Sequence, residues 1–144
     1  MITIQRIQHG TEIFDAMVKL RLSILREPLG LKFTSEELDA ERSDILIGAF
    51  HNDELIGCLV LTRLSDTAMK MRQVAVHPNF RNLGIGRMLV EKCEETAKSE
   101  GCYEMELHAR ISAIPFYLRL GYTLRGDEFE EVTIPHQTMF KILA

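Results

Sequence analysis

The stretch Val74-Ala75-Val76-His77-Pro78-Asn79-Phe80-Arg81-Asn82-Leu83-Gly84-Ile85-Gly86-Arg87 decides how this 144-residue chain is read. It joins an extended run, Met69 to Val76, to a helix that opens at Gly84. Gly84 and Gly86 let the backbone bend tightly and approach a ligand without a Cβ in the way, so successive amides at the helix start can converge on one anion. Those amides have no intrahelical partner, and the helix dipole adds positive potential at the same end. A diphosphate suits that electrostatics. Arg81 and Arg87 flank the turn and can add charge-assisted hydrogen bonds, or they can stand as solvated surface residues. The plainer alternative is that both glycines serve only a sharp strand-to-helix connection. Two competing phosphate motifs are disfavoured: a dinucleotide fingerprint would need Gly or Ala where Leu89 stands, and no glycine begins a GxxxxGK[ST] run.

Outward from that turn, the hydrophobic period alternates between extended and helical. In Met69 to Val76, simple alternation places Met69, Met71, Gln73 and Ala75 on one face and Lys70, Arg72, Val74 and Val76 on the other. Ile85, Met88, Leu89, Cys93 and Ala97 make an apolar helical face that ends near Ser99, with Gly101 as its stop. Upstream, Ile2 to Ile7 reads as a strand, and Thr11 to Arg26 as a helix halted before Pro28-Leu29-Gly30. Thr34-Ser35-Glu36-Glu37 caps a short polar helix to about Arg42. Ile45 to Phe50 and Leu55 to Leu61 are strands joined by the polar hairpin His51-Asn52-Asp53-Glu54. Downstream come a strand from Tyr103 to His108, a helix from Ser112 to Leu120 stopped by Gly121, and a final extended segment, Val132 to Leu143, in which Pro135 marks an edge or a bulge. The order β-α-α-β-β-β-α-β-α-β-β predicts one domain over residues 1–144, a mixed sheet with helices packed on it.

Composition limits what such a domain can do. A net charge of −4 offers no global positive field, so neither nucleic acid nor an anionic membrane is an expected partner, and any anion needs a local site. The 3 cysteines, Cys58, Cys93 and Cys102, form an odd set without CxxC spacing, which argues against disulfides and structural zinc and fits a reducing, cytoplasmic setting. The first residues contain no long apolar run, so neither a signal peptide nor a membrane span is expected. The 5 histidines lack HxH or HExxH spacing, and no metal is expected.

Arg81-Asn82-Leu83-Gly84-Ile85-Gly86 resembles the acyl-CoA signature R/Q-x-x-G-x-G/A of the GCN5-related N-acetyltransferase (GNAT) superfamily. The preceding Val76-His77-Pro78-Asn79-Phe80-Arg81 and the downstream Phe116-Tyr117-Leu118-Arg119-Leu120-Gly121-Tyr122 follow the same pattern in the same order. Leu22 to Gly30 and Phe129 to Met139 look like segments of a bacterial subgroup that includes ElaA-like and YjcF-like predicted acyltransferases. The resemblance implies an α+β (mixed α/β) fold with a central, mostly antiparallel, splayed β-sheet and helices on both faces. It implies acetyl-CoA as acyl-donor cosubstrate and an amine acceptor. Backbone groups of Val74, Ala75 and Val76 would hold the pantetheine arm, and Arg81, Asn82, Leu83, Gly84, Ile85, Gly86 and Arg87 would surround the diphosphate. Family members often carry Asn near the end of the following strand, where this chain has Ala109-Arg110.

Acyl transfer to an amine needs a neutral amine, stabilisation of charge on the donor carbonyl and a proton for the departing thiolate. The resemblance gives the last role to Tyr117, a phenol that is protonated at neutral pH; otherwise its ring simply packs in the core. Glu130, Glu131 and His136 lie where the family places acceptor-side groups, and His136 has the intrinsic pKa of a base. The same carboxylates, with Asp127 and Glu128, can equally form a solvated acidic turn. Arg21 and Arg26 either line the acceptor pocket or cover the core edge with guanidinium groups in water. Buried cysteines are poor nucleophiles, so direct transfer is expected. A noncatalytic acyl-CoA-binding domain with the same cradle is the alternative, and exposed edge strands leave a homodimer open.

Overall fold

The computed structural model describes residues 1–144. Its strands are β1 (Ile2–Ile7), β2 (Ile45–His51), β3 (Glu54–Arg63), β4 (Ala68–Val76), β5 (Glu104–Arg110), β6 (Thr123–Glu131) and β7 (Ile134–Ile142). They form one 7-stranded sheet in the order β1-β2-β3-β4-β5-β7-β6, antiparallel except for the parallel pair β4–β5. Helices α1 (Glu12–Arg21), α2 (Ser35–Asp39), α3 (Ile85–Ser99) and α4 (Ile114–Arg119) complete the expected element order.

Local chemistry sets the boundaries. Thr11 caps α1 by accepting from the Phe14 amide at 3.2 Å, and Phe14, Met17 and Leu20 turn one stripe inward. The helix then loosens into a π-helical turn, Leu22–Arg26, and a 3-10 turn, Glu27–Leu29, closed by left-handed Gly30. Thr34 and Glu37 form the capping box at α2. Left-handed Asn52 and Asp53 turn the β2–β3 hairpin, and left-handed Val132 and Thr133 turn β6 into β7. No helix is long and apolar enough to cross a membrane.

Helices cover both faces. On one side Phe14, Met17 and Leu20 of α1 pack on Leu46, Phe50, Cys58, Val60 and Ala75; on the other, Ile85, Leu89, Cys93 and Ala97 of α3 pack on Leu59, Leu61, Met69, Met71 and Met105. Leu89 is wholly enclosed. Truncating such a side chain to Ala costs about 2–5 kcal/mol.

Two irregularities in β4 shape the middle of the sheet. First, Cys58 pairs with Ala75 but Val60 pairs with Arg72, so β4 carries one residue more than β3 over that interval. The extra residue is absorbed at Gln73, whose φ is 55°. The alternation expected from the sequence therefore breaks there. Val74 and Val76 join Met69 and Met71 on the α3 side, and Ala75 faces α1 instead of sharing a face with the methionines. Second, β4 and β5 pair only from Ala68↔Glu104 to Met71↔Leu107, although β4 runs on to Val76 and β5 to Arg110. Beyond Met71 the two strands splay, opening a gap in the middle of the sheet.

Two further expectations are corrected. Asp127 to Glu131 is not an acidic turn: it is the second half of β6, an exposed edge strand with a register shift between Arg125 and Phe129. Arg21 neither reaches water nor lines a pocket. Its guanidinium is fully buried and donates to both Glu41 carboxylate oxygens, at 2.8 and 2.6 Å, with Phe33 stacked 4.7 Å away.

Candidate active site

The splay forms an open cavity of about 360 Å³. Its walls come from both sheet faces. Tyr117 and Ala113 reach it from the α4 side, Val74 and Leu107 from the parting strands, and Leu25 and Arg26 from the turn after α1. Glu131 and His136 close it from the β6–β7 hairpin, so Tyr117, Glu131 and His136, far apart in sequence, meet around one space.

Tyr117 is buried, with its ring edge-to-face against Phe116 and Tyr122 at 5.0 and 5.8 Å. Burial, and then the neighbouring Cys93, push its phenol above its ordinary pKa and keep it protonated. Its ring packs in the core, and the same side chain lines the cavity.

His136 is almost wholly buried, and its Nδ1 lies 2.9 Å from the Ile134 carbonyl. A carbonyl only accepts, so Nδ1 carries the proton and Nε2 holds the lone pair in the neutral ring. Nε2 sits 3.8 Å from Glu131 Oε2. Glu131 Oε1 in turn lies 2.9 Å from His108 Nδ1. Burial alone would raise the Glu131 pKa, but the hydrogen bond and charge of His108, with His136 and Lys70, hold it below the usual carboxylate value. Lys70 Nζ is also 3.2 Å from His108 Nδ1. One ring nitrogen cannot serve both neighbours in the same way: protonated, it donates to Glu131; unprotonated, it accepts from Lys70.

The glycine turn lies at the N-terminus of α3. Gly84 is left-handed, with φ of 81°, and the first amide to bond back into the helix is that of Met88, donating to the Gly84 carbonyl. The amides of Ile85, Gly86 and Arg87 thus have no intrahelical acceptor. A Cβ on Gly86 would meet Phe116 Cζ at 3.1 Å, so this glycine also allows α3 to sit close against α4. Phe116 adjoins Tyr117, which connects the turn to the cavity. Arg81 to Gly84 are exposed, and Arg87 makes only a solvent-exposed pair with Glu91 at 3.4 Å. Val74 lines the cavity, whereas the side chain of Ala75 is buried on the other face.

Lys70, Arg72, His108 and Arg110 also line the cavity, and none was singled out by its own chemistry in the sequence. Their signal is charge at alternate positions of strands whose intervening residues, Met69, Met71, Leu107 and Ala109, are buried. No cysteine lines it. Burial pushes the Cys58 thiol up to about 12 and raises Cys93 as well, and Cys102 lies 3.2 Å from Arg63 Nη1, away from the gap.

The splayed sheet, the glycine turn with free amides and the tyrosine in the gap agree with the resemblance read from the sequence, and the model of the acetyltransferase (GNAT) family matches residues 14–122; the chain belongs to that family and is an acetyltransferase. Among its relatives, the uncharacterized protein YyaT of Bacillus subtilis is 28% identical over 144 residues, covering 96% of this chain and 94% of that one. The fold is similar to that of Escherichia coli ElaA, with a TM-score of 0.82 at 20% identity over 98% of this chain and 99% of the other. It is also similar to a GNAT family acetyltransferase from Elizabethkingia anophelis with acetyl-CoA bound, with a TM-score of 0.77 at 22% identity over 99% and 98% of the two chains.

Proposed function

We propose that the protein transfers an acetyl group from acetyl-CoA directly to the primary amine of a small molecule or peptide, both substrates being bound together. One observation carries this reading: the gap between β4 and β5 joins the two sheet faces, with Tyr117 on one side and the Glu131–His136 pair on the other. A donor thioester and an acceptor amine entering from opposite faces meet there without a covalent intermediate.

The residues present fit the donor. The free amides of Ile85, Gly86 and Arg87, with Arg81 beside them, suit the diphosphate, and no Cβ at Gly84 or Gly86 obstructs its approach. Asn82 and Leu83 complete that loop on its solvent side. Backbone groups of Val74 to Val76, released from β5 by the splay, are available to hydrogen-bond the amides of the pantetheine arm. At the acceptor side, His136 Nε2 takes a proton from the incoming ammonium or amine, and the Glu131 carboxylate stabilises the imidazolium that results. At the donor side, the buried Tyr117 phenol donates its proton toward the sulfur as the C–S bond breaks, sparing the release of a bare thiolate into a poorly solvated space.

The test is Tyr117→Phe. Loss of a general acid lowers turnover by about 10²–10⁴-fold. Acceptor-dependent CoA release should fall to that extent while calorimetry finds acetyl-CoA bound with unaltered affinity. Unchanged turnover would remove Tyr117 from the reaction.

A further inference from the structure

Charge is distributed unevenly around the cavity. Four of its lining residues are cationic, Arg26, Lys70, Arg72 and Arg110, whereas Glu131 is its single carboxylate. Two of the cations are already committed. Arg26 pairs with Glu37 at 3.0 Å and stacks on Phe33, and Arg72 lies 3.7 Å from Asp44. The other two have no carboxylate within salt-bridge distance. Arg110 spends one nitrogen on the Leu25 carbonyl at 2.7 Å, and Lys70 meets only the His108 ring. Both are partly buried, and for both desolvation disfavours the charged form; the Glu131 carboxylate offsets part of that cost at each, while Arg26 adds repulsion at Arg110 and Arg72 adds it at Lys70. A half-buried guanidinium with free donors and no carboxylate in direct contact is costly unless something anionic enters beside it.

Building on the acetyl-transfer reading above, we propose that the acceptor is a small amine carrying its own oxyanion, a carboxylate or a phosphate, which Arg110 binds with help from Lys70 while the amine faces Glu131 and His136. The sheet places the two poles side by side. Arg110 is the register partner of His136 across β5–β7, so the guanidinium and the imidazole project from adjacent positions on one face. Arg110 also tethers the Leu25 carbonyl, which ties the roof of the cavity to its anion-binding wall. The space of about 360 Å³ must also hold the acetyl end of the donor, so the part of the acceptor that enters it is roughly the size of an amino acid. Polycationic amines meet an unfavourable field at the same wall.

The experiment measures CoA release with matched acceptor pairs that differ only in the anion: amino acids against their amides, and O-phosphoethanolamine against ethanolamine. Rates are compared per unprotonated amine, because amidation lowers the amine pKa. The anionic member should be preferred by about tenfold or more in kcat/KM, the scale of one charge-assisted contact. The amino-acid and phosphoethanolamine arms separate carboxylate from phosphate. In Arg110→Gln, and independently in Lys70→Met, that preference should shrink mainly through KM. Equal or better turnover of the uncharged members by the unmodified protein would overturn the anionic acceptor while leaving acetyl transfer intact. Turnover of no member, with acetyl-CoA still bound in calorimetry, would overturn the transfer reading and this inference with it. Weakened acetyl-CoA binding in Arg110→Gln with an undiminished anion preference would assign Arg110 to the donor and likewise refute the proposal.

Discussion

Replacing Glu41 with Gln should be far more damaging than its position outside the cavity suggests. The Arg21–Glu41 pair is bidentate at 2.8 and 2.6 Å, and both residues are essentially inaccessible to water. The substitution leaves the guanidinium buried and charged and sets an amide NH2 against donors that need acceptors. Breaking one side of a buried pair costs about 3–5 kcal/mol. For a domain of this length that corresponds to a fall in Tm of about 10–17 °C. The Arg42–Asp39 pair supplies an internal control, since its side chains are 69% and 65% exposed and join at 3.3 Å. Asp39→Asn should cost less than about 1 kcal/mol. Urea denaturation followed by circular dichroism separates the two cases. The double variant Arg21→Met/Glu41→Leu should recover most of the loss, because it removes both charges and refills the space. If Glu41→Gln proves as mild as Asp39→Asn, the pair is not the buried anchor described above. A functional corollary links fold to site: Arg21 immediately precedes the π-helical turn that carries Leu25 and Arg26 over the cavity, so loosening the pair should raise KM for the acceptor more than for acetyl-CoA.

Two further outcomes test the donor cradle and the acidic side of the gap. Gly86→Glu brings a Cβ to 3.1 Å from Phe116 and a negative charge to the proposed diphosphate site, so acetyl-CoA affinity measured by calorimetry should drop about tenfold or more, one contact's worth of free energy; unaltered affinity in a cooperatively folded variant would place the diphosphate elsewhere. Because the Glu131 pKa is held below its ordinary value in the folded protein, its contribution to stability is present above the unfolded carboxylate pKa and fades as pH falls through the folded one. The stability difference between the unmodified protein and Glu131→Gln should therefore be larger at pH 5.5 than at pH 3, pH values chosen to straddle a carboxylate pKa of about 4.3; a constant difference would mean that the ion contacts do not act on folding.

Much of the architecture could be read before any coordinates. Glycines, prolines and capping residues punctuate the chain where the period switches, and the long apolar stripe of α3 needs no tertiary help to be recognised. The glycine turn was legible because its chemistry is local: consecutive amides, two missing Cβ atoms and a helix start. What escaped depends on distance or on context. Arg21 looks like any amphipathic helix-edge arginine until Glu41 arrives from 20 residues downstream. Thr123–Glu131 carries no burial alternation, since nearly all of it is exposed, so its strand character comes from pairing with β7. Gln73 holds a left-handed bulge without being Gly, Asn or Asp, so nothing in its identity announces it. The cavity cations come from β4, β5 and the turn after α1, and only the splay brings them to one place.

The bulge at Gln73 makes β4 a strand with two reading frames. Before it, odd-numbered residues feed the larger core; after it, even-numbered ones do. Losing Val74, one residue past the bulge, would be graver than most exchanges of side chain. It would send Val76 toward the slot beside Cys58 that now admits only the methyl group of Ala75, and would pull that alanine into the space Val74 fills. The chain thus tolerates spelling changes along this segment more readily than a lost letter.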